Sequence, residues 1–270
     1  IDMNKGKVNA DAIDFEDSMA NLPYHVNITV NDYSALKDAD IVVSTLGKIS
    51  LETKGDRFAE LKYNKEQLKP ITDSIKKSGF NGILIVISNP VDAITSLYQQ
   101  LTGLPKQHVI GTGTLLDTAR MQKVVAKKFD VDPRSVSGFN LGEHGNSQFT
   151  AWSTVKVLEQ PITKLAKDKS WKLEDLNDEI KFGGQQVFKG KHYTNYGVAA
   201  AAVRLIQSIL NDSRTELPVS SYQAKYGTYM SYPSIVGRDG IVQSIDLPLT
   251  DEEEKQLKAS AETIKAKSEA

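Results

Sequence analysis

The stretch Gly82-Ile83-Leu84-Ile85-Val86-Ile87-Ser88 decides the fold class of this 270-residue chain. Its unbroken run of isoleucine, leucine and valine predicts a strand that is buried on both faces. Two shorter runs, Asp40 to Thr45 and His108 to Thr112, predict similar strands before and after it in the sequence. Helical patterns follow at Lys65 to Ser78 and at Val91 to Thr102. Apolar strands that alternate with helices indicate βαβ units and a parallel sheet covered on both faces.

The pattern changes beyond Gly113, where long helices and strands no longer alternate regularly. We therefore predict two interlocked domains with a boundary near Gly111, residues 1–111 and 112–270. The first is a doubly wound parallel sheet and the second is an α+β domain. Helices are predicted at Lys7 to Ala20, Leu116 to Phe129, Thr194 to Asn211 and from Thr250 onward, and strands at His25 to Val30, Thr150 to Leu158 and Gly240 to Leu247.

Composition excludes several classes of function. The formal net charge is -1 and charges of both signs are interspersed, so no basic stripe predicts nucleic-acid binding. The chain has no cysteine, which excludes disulfides and thiolate metal sites, and its four histidines lack metal-ligand spacing. No apolar run reaches the roughly 18 residues of a membrane span, and no signal peptide is visible. We expect a cytoplasmic protein without a metal.

The hexapeptide Gly142-Glu143-His144-Gly145-Asn146-Ser147 places one histidine between two glycines. Glycine allows a ligand to approach the backbone closely, and histidine is the side chain best suited to proton transfer near neutral pH. The hexapeptide is either a surface loop that happens to contain histidine or a loop that displays a general acid. Its chemistry depends on the residues that accompany it.

Asp117 and Arg120 are three residues apart in a predicted helix, so they share one helical face. One interpretation is an ordinary salt bridge on the helix surface. The other separates their roles: Asp117 accepts a hydrogen bond from His144, fixes its tautomer and raises its pKa. Arg120 then binds a substrate carboxylate through two parallel hydrogen bonds, which lysine cannot imitate.

Two more segments are candidates for the same site. Asn89 follows the strongest strand, at the end where open α/β sheets bind ligands, although Ser88 or Asn89 is also a plausible helix cap before Pro90. Arg57 lies in the glycine-bearing segment Lys54-Gly55-Asp56-Arg57, which has the composition of a closing lid. An exposed loop arginine without a function is the alternative.

Two other segments bear on whether the chain binds a nucleotide. Gly111-Thr112-Gly113 lies between a strand and a helix, but Leu116 stands where a dinucleotide fingerprint has its third glycine, so we do not expect phosphate binding there. Ile1-Asp2-Met3-Asn4 is similar to the end of a second Rossmann strand, where Asp2 would accept hydrogen bonds from the adenosine ribose. In that case the first strand and its glycine-rich turn precede Ile1.

Five motifs together carry a family resemblance: SNPVD at 88–92, IGTGTLLDTAR at 110–120, GEHGNS at 142–147, YTNYGVA at 193–199 and SYPSIVGRDG at 231–240. Their order and spacing resemble the L-lactate/malate dehydrogenase family over nearly the whole chain. Within that family the chain is most similar to the L-2-hydroxyisocaproate dehydrogenases. The resemblance implies a Rossmann-like NAD-binding domain, a catalytic domain and a homotetramer or homodimer.

The resemblance also implies a role for each candidate residue. His144 is the general acid and base, Asp117 its partner, and Arg57 polarises the reacting carbonyl. Substrate contacts come from Arg120, Asn89 and Thr194, and cofactor contacts from Asp2, Thr45, Leu46, Gly47 and Asn89. NADH would deliver a hydride to a 2-oxo acid while His144 protonates the carbonyl oxygen.

Leu51 falls at the position that sets specificity in this family, counting from Gly47. The segment between Gly47 and Arg57 is shorter than expected for the subfamily, which affects this count. Leucine provides neither a cation nor an amide and therefore predicts an apolar substrate side chain, as in 2-oxoisocaproate. An L-lactate dehydrogenase of relaxed specificity and a non-catalytic relative are the alternatives. The intact set of polar candidates argues against the second.

Overall fold

A computed structural model describes residues 1–48 and 57–269, with only the backbone of residues 57–59 and 269. Its helices are α1 Lys5–Ser18, α2 Arg57–Ser78, α3 Val91–Thr102, α4 Leu115–Phe129, α5 Ile162–Asp168, α6 Asn177–Lys191, α7 Tyr196–Leu210 and α8 Asp251–Glu269. Its strands are β1 Ile41–Ser44, β2 Ile83–Val86, β3 Val109–Gly111, β4 Val136–Ser137, β5 Asn140–Leu141, β6 Phe149–Thr150, β7 Lys156–Val157, β8 Gln160–Pro161, β9 Thr215–Gln223, β10 Thr228–Gly237 and β11 Gly240–Ser244. Among these residues no helix combines the length and hydrophobicity that crossing a membrane requires.

The main sheet has six strands in the order β1-β2-β3-β9-β10-β11. The first three strands are parallel, and β9, β10 and β11 join as antiparallel neighbours. β3 meets β9 where Gly111 pairs with Ser220, so the sheet continues across the predicted boundary. The predicted α/β class with a parallel sheet is confirmed, whereas the division into residues 1–111 and 112–270 stays a prediction.

Strand β2 is buried along its whole length because helices cover both faces of the sheet. Leu84 and Val86 pack into the core formed with α2 and α3, as do Ile94 and Tyr98 of α3. Ile83 and Ile85 point the other way, into the core formed with α7 and β9. This alternation explains why the strand reads as continuously apolar, and it fixes the carboxyl edge of the sheet where Ser88 and Asn89 follow.

Two strand predictions were wrong. His25 to Val30 forms no strand, because most of the segment is exposed and has no neighbouring strand to pair with in the described part of the chain. Thr150 to Leu158 is not one strand either: β6 and β7 are separated by a 3₁₀ turn at Trp152–Thr154. Alternating hydrophobicity alone does not supply the hydrogen-bonding partner that a strand needs.

The turn Gly111-Thr112-Gly113 is explained by packing between strands. Gly113 has a φ of +52°, and a Cβ there would lie 2.5 Å from the backbone nitrogen of Ser220. A Cβ on Gly111 would lie 2.8 Å from the Cβ of Ser220. The space beside both glycines is thus filled by protein atoms, so close packing of the turn against β9 explains both glycines.

Candidate active site

The segment Gly142–Ser147, called the histidine loop below, begins at the end of β5. Gly142 and Ser231 of β10 exchange two backbone hydrogen bonds of 3.0 Å. Gly142 has a φ of +89°, and a Cβ at this position would lie 2.5 Å from the Ser260 hydroxyl of α8. Only glycine therefore fits where the loop passes between β10 and α8.

His144 and Asp117 form a close pair in the centre of the site. The Nδ1 atom of His144 lies 2.5 Å from Oδ2 of Asp117, whose side chain is 1% exposed, while the imidazole keeps 29% of its surface exposed. Because Nδ1 faces the carboxylate, Nε2 is the ring nitrogen left to exchange a proton with a ligand. This contact joins residues 27 positions apart in the sequence.

Arg120 contacts the other oxygen of the same carboxylate. Its Nη1 donates to Oδ1 of Asp117 over 2.7 Å, and the guanidinium is largely buried. A Cβ on Gly184 of α6 would lie 3.0 Å from Nη2, and one on Gly183 would lie 3.4 Å from Cδ. Asp117 thus bridges a histidine and an arginine, so the salt bridge and the divided roles considered from sequence are both compatible with this geometry.

These contacts shift the pKa values of both partners. Burial opposes the charge of His144, but the carboxylates of Asp117 and Asp92 together outweigh burial, and the His144 pKa is raised above 6.5. Burial likewise opposes the Asp117 charge, yet His144 and Arg120 hold the Asp117 pKa below 3.8. Near neutral pH the carboxylate is therefore ionised, and the imidazole carries its proton to a higher pH than an isolated histidine does.

Glu143, the residue before the histidine, is anchored to α8. It is 3% exposed, its Oε1 forms a salt bridge with Lys267, and its Oε2 accepts from the Ser147 hydroxyl over 2.7 Å. The Glu143 N–H donates to the Ser260 hydroxyl over 2.7 Å. Burial opposes the Glu143 charge, but Lys267 and Ser147 lower its pKa below 4.5. Nothing in the local sequence marks this anchor, because Lys267 lies 124 residues away along the chain.

Asp92 is a second residue that the sequence reasoning missed, although it belongs to the SNPVD motif. It lies in the first turn of α3 and is 2% exposed. One oxygen accepts from the His144 backbone N–H over 2.8 Å and the other from the Ser220 hydroxyl over 2.6 Å. Its place in a motif at the carboxyl end of β2 was a signal that could have identified it.

The carboxyl edge of the parallel sheet has features that fit a polar cofactor. Thr45 and Gly47 follow β1 and are exposed, with Leu46 partly buried between them. After β2, the buried Ser88 hydroxyl has no hydrogen-bond partner among the described residues. Asn64 donates to the Asn89 carbonyl over 2.7 Å, but its own carbonyl oxygen is likewise unpaired. Unpaired buried polar atoms are costly unless a ligand satisfies them, so this edge fits the amide and ribose groups of a nicotinamide nucleotide.

The remaining candidates are less closely connected to His144. Leu51 and the Arg57 side chain lie outside the described residues. Thr194 is exposed just before α7. Asp2 does not end a strand, contrary to prediction: its carboxylate accepts from the Asn4 N–H over 2.8 Å in a turn. The roles assigned to these residues stay predictions.

Comparison with known proteins assigns the class. Residues 1–111 match the model of the lactate/malate dehydrogenase NAD binding domain, and residues 114–270 match that of the lactate/malate dehydrogenase alpha/beta C-terminal domain. The protein is an NAD-dependent oxidoreductase of the L-2-hydroxyacid dehydrogenase class, acting on CH–OH groups. The chain belongs to the lactate/malate dehydrogenase family.

Similar proteins extend over almost the whole chain. An L-lactate dehydrogenase of Clostridium perfringens is 37% identical over 275 residues, covering 98% of this chain and 86% of that protein. One of Lactobacillus helveticus is 38% identical, covering 98% and 84%. The ligands-bound crystal structure of minor L-lactate dehydrogenase from Enterococcus mundtii aligns with a TM-score of 0.88 and 35% identity, covering 99% and 88%. A lactate dehydrogenase from a Medee basin deep-sea metagenome library aligns with a TM-score of 0.92 and 33% identity, covering 98% and 87%.

Proposed function

We propose that His144 is the proton donor and acceptor of an L-2-hydroxyacid dehydrogenase and that Asp117 and Arg120 complete its catalytic set. One observation carries the proposal: a single buried carboxylate, Asp117, contacts both His144 and Arg120. A proton donor and a cation that can bind a substrate carboxylate thereby lie on either side of Asp117. A 2-oxo acid has a carbonyl next to a carboxylate, so each of the two groups has a partner on the same substrate.

His144 and Arg120 divide the work on the substrate. Arg120 binds the substrate carboxylate through N–H groups not used by Asp117, and this orients the carbonyl toward Nε2 of His144. The protonated imidazole then donates to the carbonyl oxygen. NADH supplies the hydride when it is bound. Oxidation of the 2-hydroxy acid needs the neutral imidazole, so the direction of reaction depends on pH.

The other predicted residues complete the proposal. Arg57 stabilises the oxygen that receives negative charge, and Asn89 and Thr194 contact the substrate. Asp2, Thr45, Leu46 and Gly47 contact the cofactor, together with Asn89. The family match supports these roles, and the polar residues that follow β1 and β2 are consistent with them.

For the substrate side chain we propose an apolar group of up to the size of that in 2-oxoisocaproate. Leu51 in the sequence carries no group that could pair with a second carboxylate. This absence favours a substrate whose remaining part is neutral and apolar.

A second candidate is L-lactate dehydrogenase with pyruvate as its main substrate. The names of the relatives from Clostridium and Lactobacillus favour it. The two candidates share the chemistry at His144 and differ only in the side chain that the pocket accepts.

The test is NADH oxidation by the protein with pyruvate, 2-oxobutyrate, 2-oxoisocaproate and oxaloacetate. We expect kcat/KM for 2-oxoisocaproate to equal or exceed that for pyruvate, since added apolar groups gain roughly 1 kcal/mol each in a fitting pocket. A strong preference for pyruvate would support the lactate assignment instead. Preference for oxaloacetate would overturn both, because it requires a cation that Leu51 does not provide.

A further inference from the structure

Asp92 occupies an unusual position for a buried carboxyl group. The first turn of a helix favours negative charge, but the contacts of Asp92 go outside α3. Its two oxygens accept hydrogen bonds from the histidine loop and from β9, at Ser220, which lies 128 residues away. The Asp92 side chain therefore fixes the backbone of the catalytic histidine relative to the sheet.

The charge of Asp92 is not neutralised by a paired cation, in contrast to the charges of the other buried carboxylates of the site. Asp117 has Arg120 and Glu143 has Lys267, whereas in residues 1–48 and 57–269 no salt bridge reaches Asp92. Burial raises the Asp92 pKa to about 6, opposed by the Ser220 hydroxyl and the His144 N–H. An ionised carboxylate without a cation in a buried place stabilises nearby positive charge strongly.

The charged groups around Asp92 show which nearby residue carries the positive charge that Asp92 stabilises. Glu143 is the other carboxylate that faces it, and it raises the Asp92 pKa. Lys267 of α8 borders the same small cavity beside Pro90 but forms its salt bridge with Glu143. From α4, Asp117 and Arg120 act on the opposite side of the imidazole. His144 is thus the group that carries a variable positive charge next to Asp92, and Asp92 favours its protonation.

We propose that Asp92 is a positioning residue for His144: its carboxylate holds the histidine through the backbone N–H and supplies a second negative charge that supports the imidazolium. The inference rests on the proposed role of His144 as proton donor. Two carboxylates then favour the protonated form of His144. Asp117 contacts the ring, and Asp92 accepts the hydrogen bond of the backbone N–H. Asp92 itself contacts no reacting atom.

The central test is Asp92→Asn. Asparagine has nearly the same shape, its carbonyl can accept the His144 N–H, and the Ser220 hydroxyl can reverse to accept from the amide. The variant thus removes the charge while both hydrogen bonds remain possible. The readout is the pH profile of kcat/KM for 2-oxo acid reduction at saturating NADH, with thermal unfolding measured in parallel.

In the wild-type protein we expect this profile to fall as pH rises, with a midpoint above 6.5, because the His144 pKa is raised. In Asp92→Asn the midpoint moves to lower pH. Rates below the midpoint stay within about twofold and rates above it fall by roughly three- to tenfold, since the protonated fraction changes tenfold per pH unit. A purely structural role would lower the rate at every pH without moving the midpoint, and that result would overturn the proposal.

A matched control is Glu216→Gln. Glu216 lies on β9 four residues before Ser220 and is exposed, so loss of its charge leaves the midpoint unchanged. Ser220→Ala keeps the Asp92 carboxylate but removes one donor, so a larger share of Asp92 takes up a proton. The midpoint then moves in the same direction by less than in Asp92→Asn. Should Asp92→Asn fail to fold, an unchanged midpoint in Ser220→Ala would refute the proposal.

A measurement independent of turnover separates this inference from the proposed function. The His144 ring can be titrated by nuclear magnetic resonance, with its signal assigned by its loss in His144→Asn. We expect the Asp92→Asn titration to move to lower pH. If His144→Asn retained full activity, the proposed function would fail while this titration would still test Asp92. An unshifted titration in an active enzyme would refute the role of Asp92 alone.

Discussion

A buried carboxylate lies on each of two sides of the histidine loop, and the two carboxylates have different roles. On the α4 side, the buried Asp117 contacts the imidazole and Arg120. On the α8 side, the buried Glu143 contacts Lys267, Ser147 and no group of the proposed reaction. Each carboxylate is paired with a cation, Arg120 for Asp117 and Lys267 for Glu143. Under the proposed function, the α4 side performs the chemistry and the α8 side holds the loop in place.

His144→Asn should produce the largest effect, because it removes the proton donor from the α4 side. We expect kcat for 2-oxo acid reduction to fall by at least ~100-fold, the scale of general acid–base catalysis. Thermal unfolding should change little, since Asp117 keeps Arg120 and the asparagine amide can donate to it in place of Nδ1. Steady-state kinetics together with a melting curve check this, and near-wild-type turnover would remove His144 from its proposed role.

Lys267→Met should have the opposite effect, a loss of stability with little loss of activity, because it breaks the ion pair on the α8 side. The variant leaves the Glu143 charge buried without its cation, and we expect a loss of about 2 kcal/mol in unfolding free energy. This is below the value for a fully buried pair, because Lys267 keeps 28% of its side chain exposed. Rates measured well below the unfolding temperature should stay within about threefold of wild type.

The dependence of stability on pH gives a second test of the ion pair between Glu143 and Lys267. The Glu143 pKa is lowered, so its ion pair stabilises the fold above the unfolded value of 4.5 and loses this contribution as pH falls through the folded value. Lys267→Met should therefore lose less stability on acidification than wild type. Lys265→Met is the control, because its pair with Glu262 is exposed and contributes about 0.5 kcal/mol or less. Equal losses in the two lysine variants would contradict the anchoring role.

Gly184→Ala should give the smallest effect and refine the description of the α4 side. The added Cβ would lie 3.0 Å from Nη2 of Arg120, so the guanidinium must shift by a few tenths of an ångström. We expect KM for 2-oxo acids to rise by roughly three- to tenfold with a smaller change in kcat, as for weakened carboxylate binding. Gly190→Ala in the same helix is the control, since nothing lies within 4 Å of its Cβ. An unchanged KM would show that the side of the guanidinium facing Gly184 does not contact the substrate.

The sequence predicted the features that depend on neighbouring residues. β2 was evident because four consecutive apolar residues can be buried on both faces only in a covered sheet. Asp117 and Arg120 were paired by helical spacing, and His144 was marked by its two glycines. The strand predicted at His25 to Val30 failed because a strand also requires a partner, which local alternation cannot reveal.

Contacts between distant residues could not be predicted in the same way. Ser220 meets Asp92, and Lys267 meets Glu143, only after β9 and α8 have packed against the parallel half of the sheet. Serine and lysine are common on protein surfaces, so nothing in their own surroundings marks these two as buried partners. Ser220 and Lys267 were therefore not recognisable in the sequence as supports of the histidine loop, although the histidine itself was.

The pairing of Glu143 with Lys267 has a consequence for synthesis on the ribosome. His144 is translated before the cation that anchors its loop, and 122 residues lie between the two. In a nascent chain halted before Lys267, Glu143 lacks its counter-charge. The order of translation thus postpones completion of the histidine loop until Lys267 of α8 has been added.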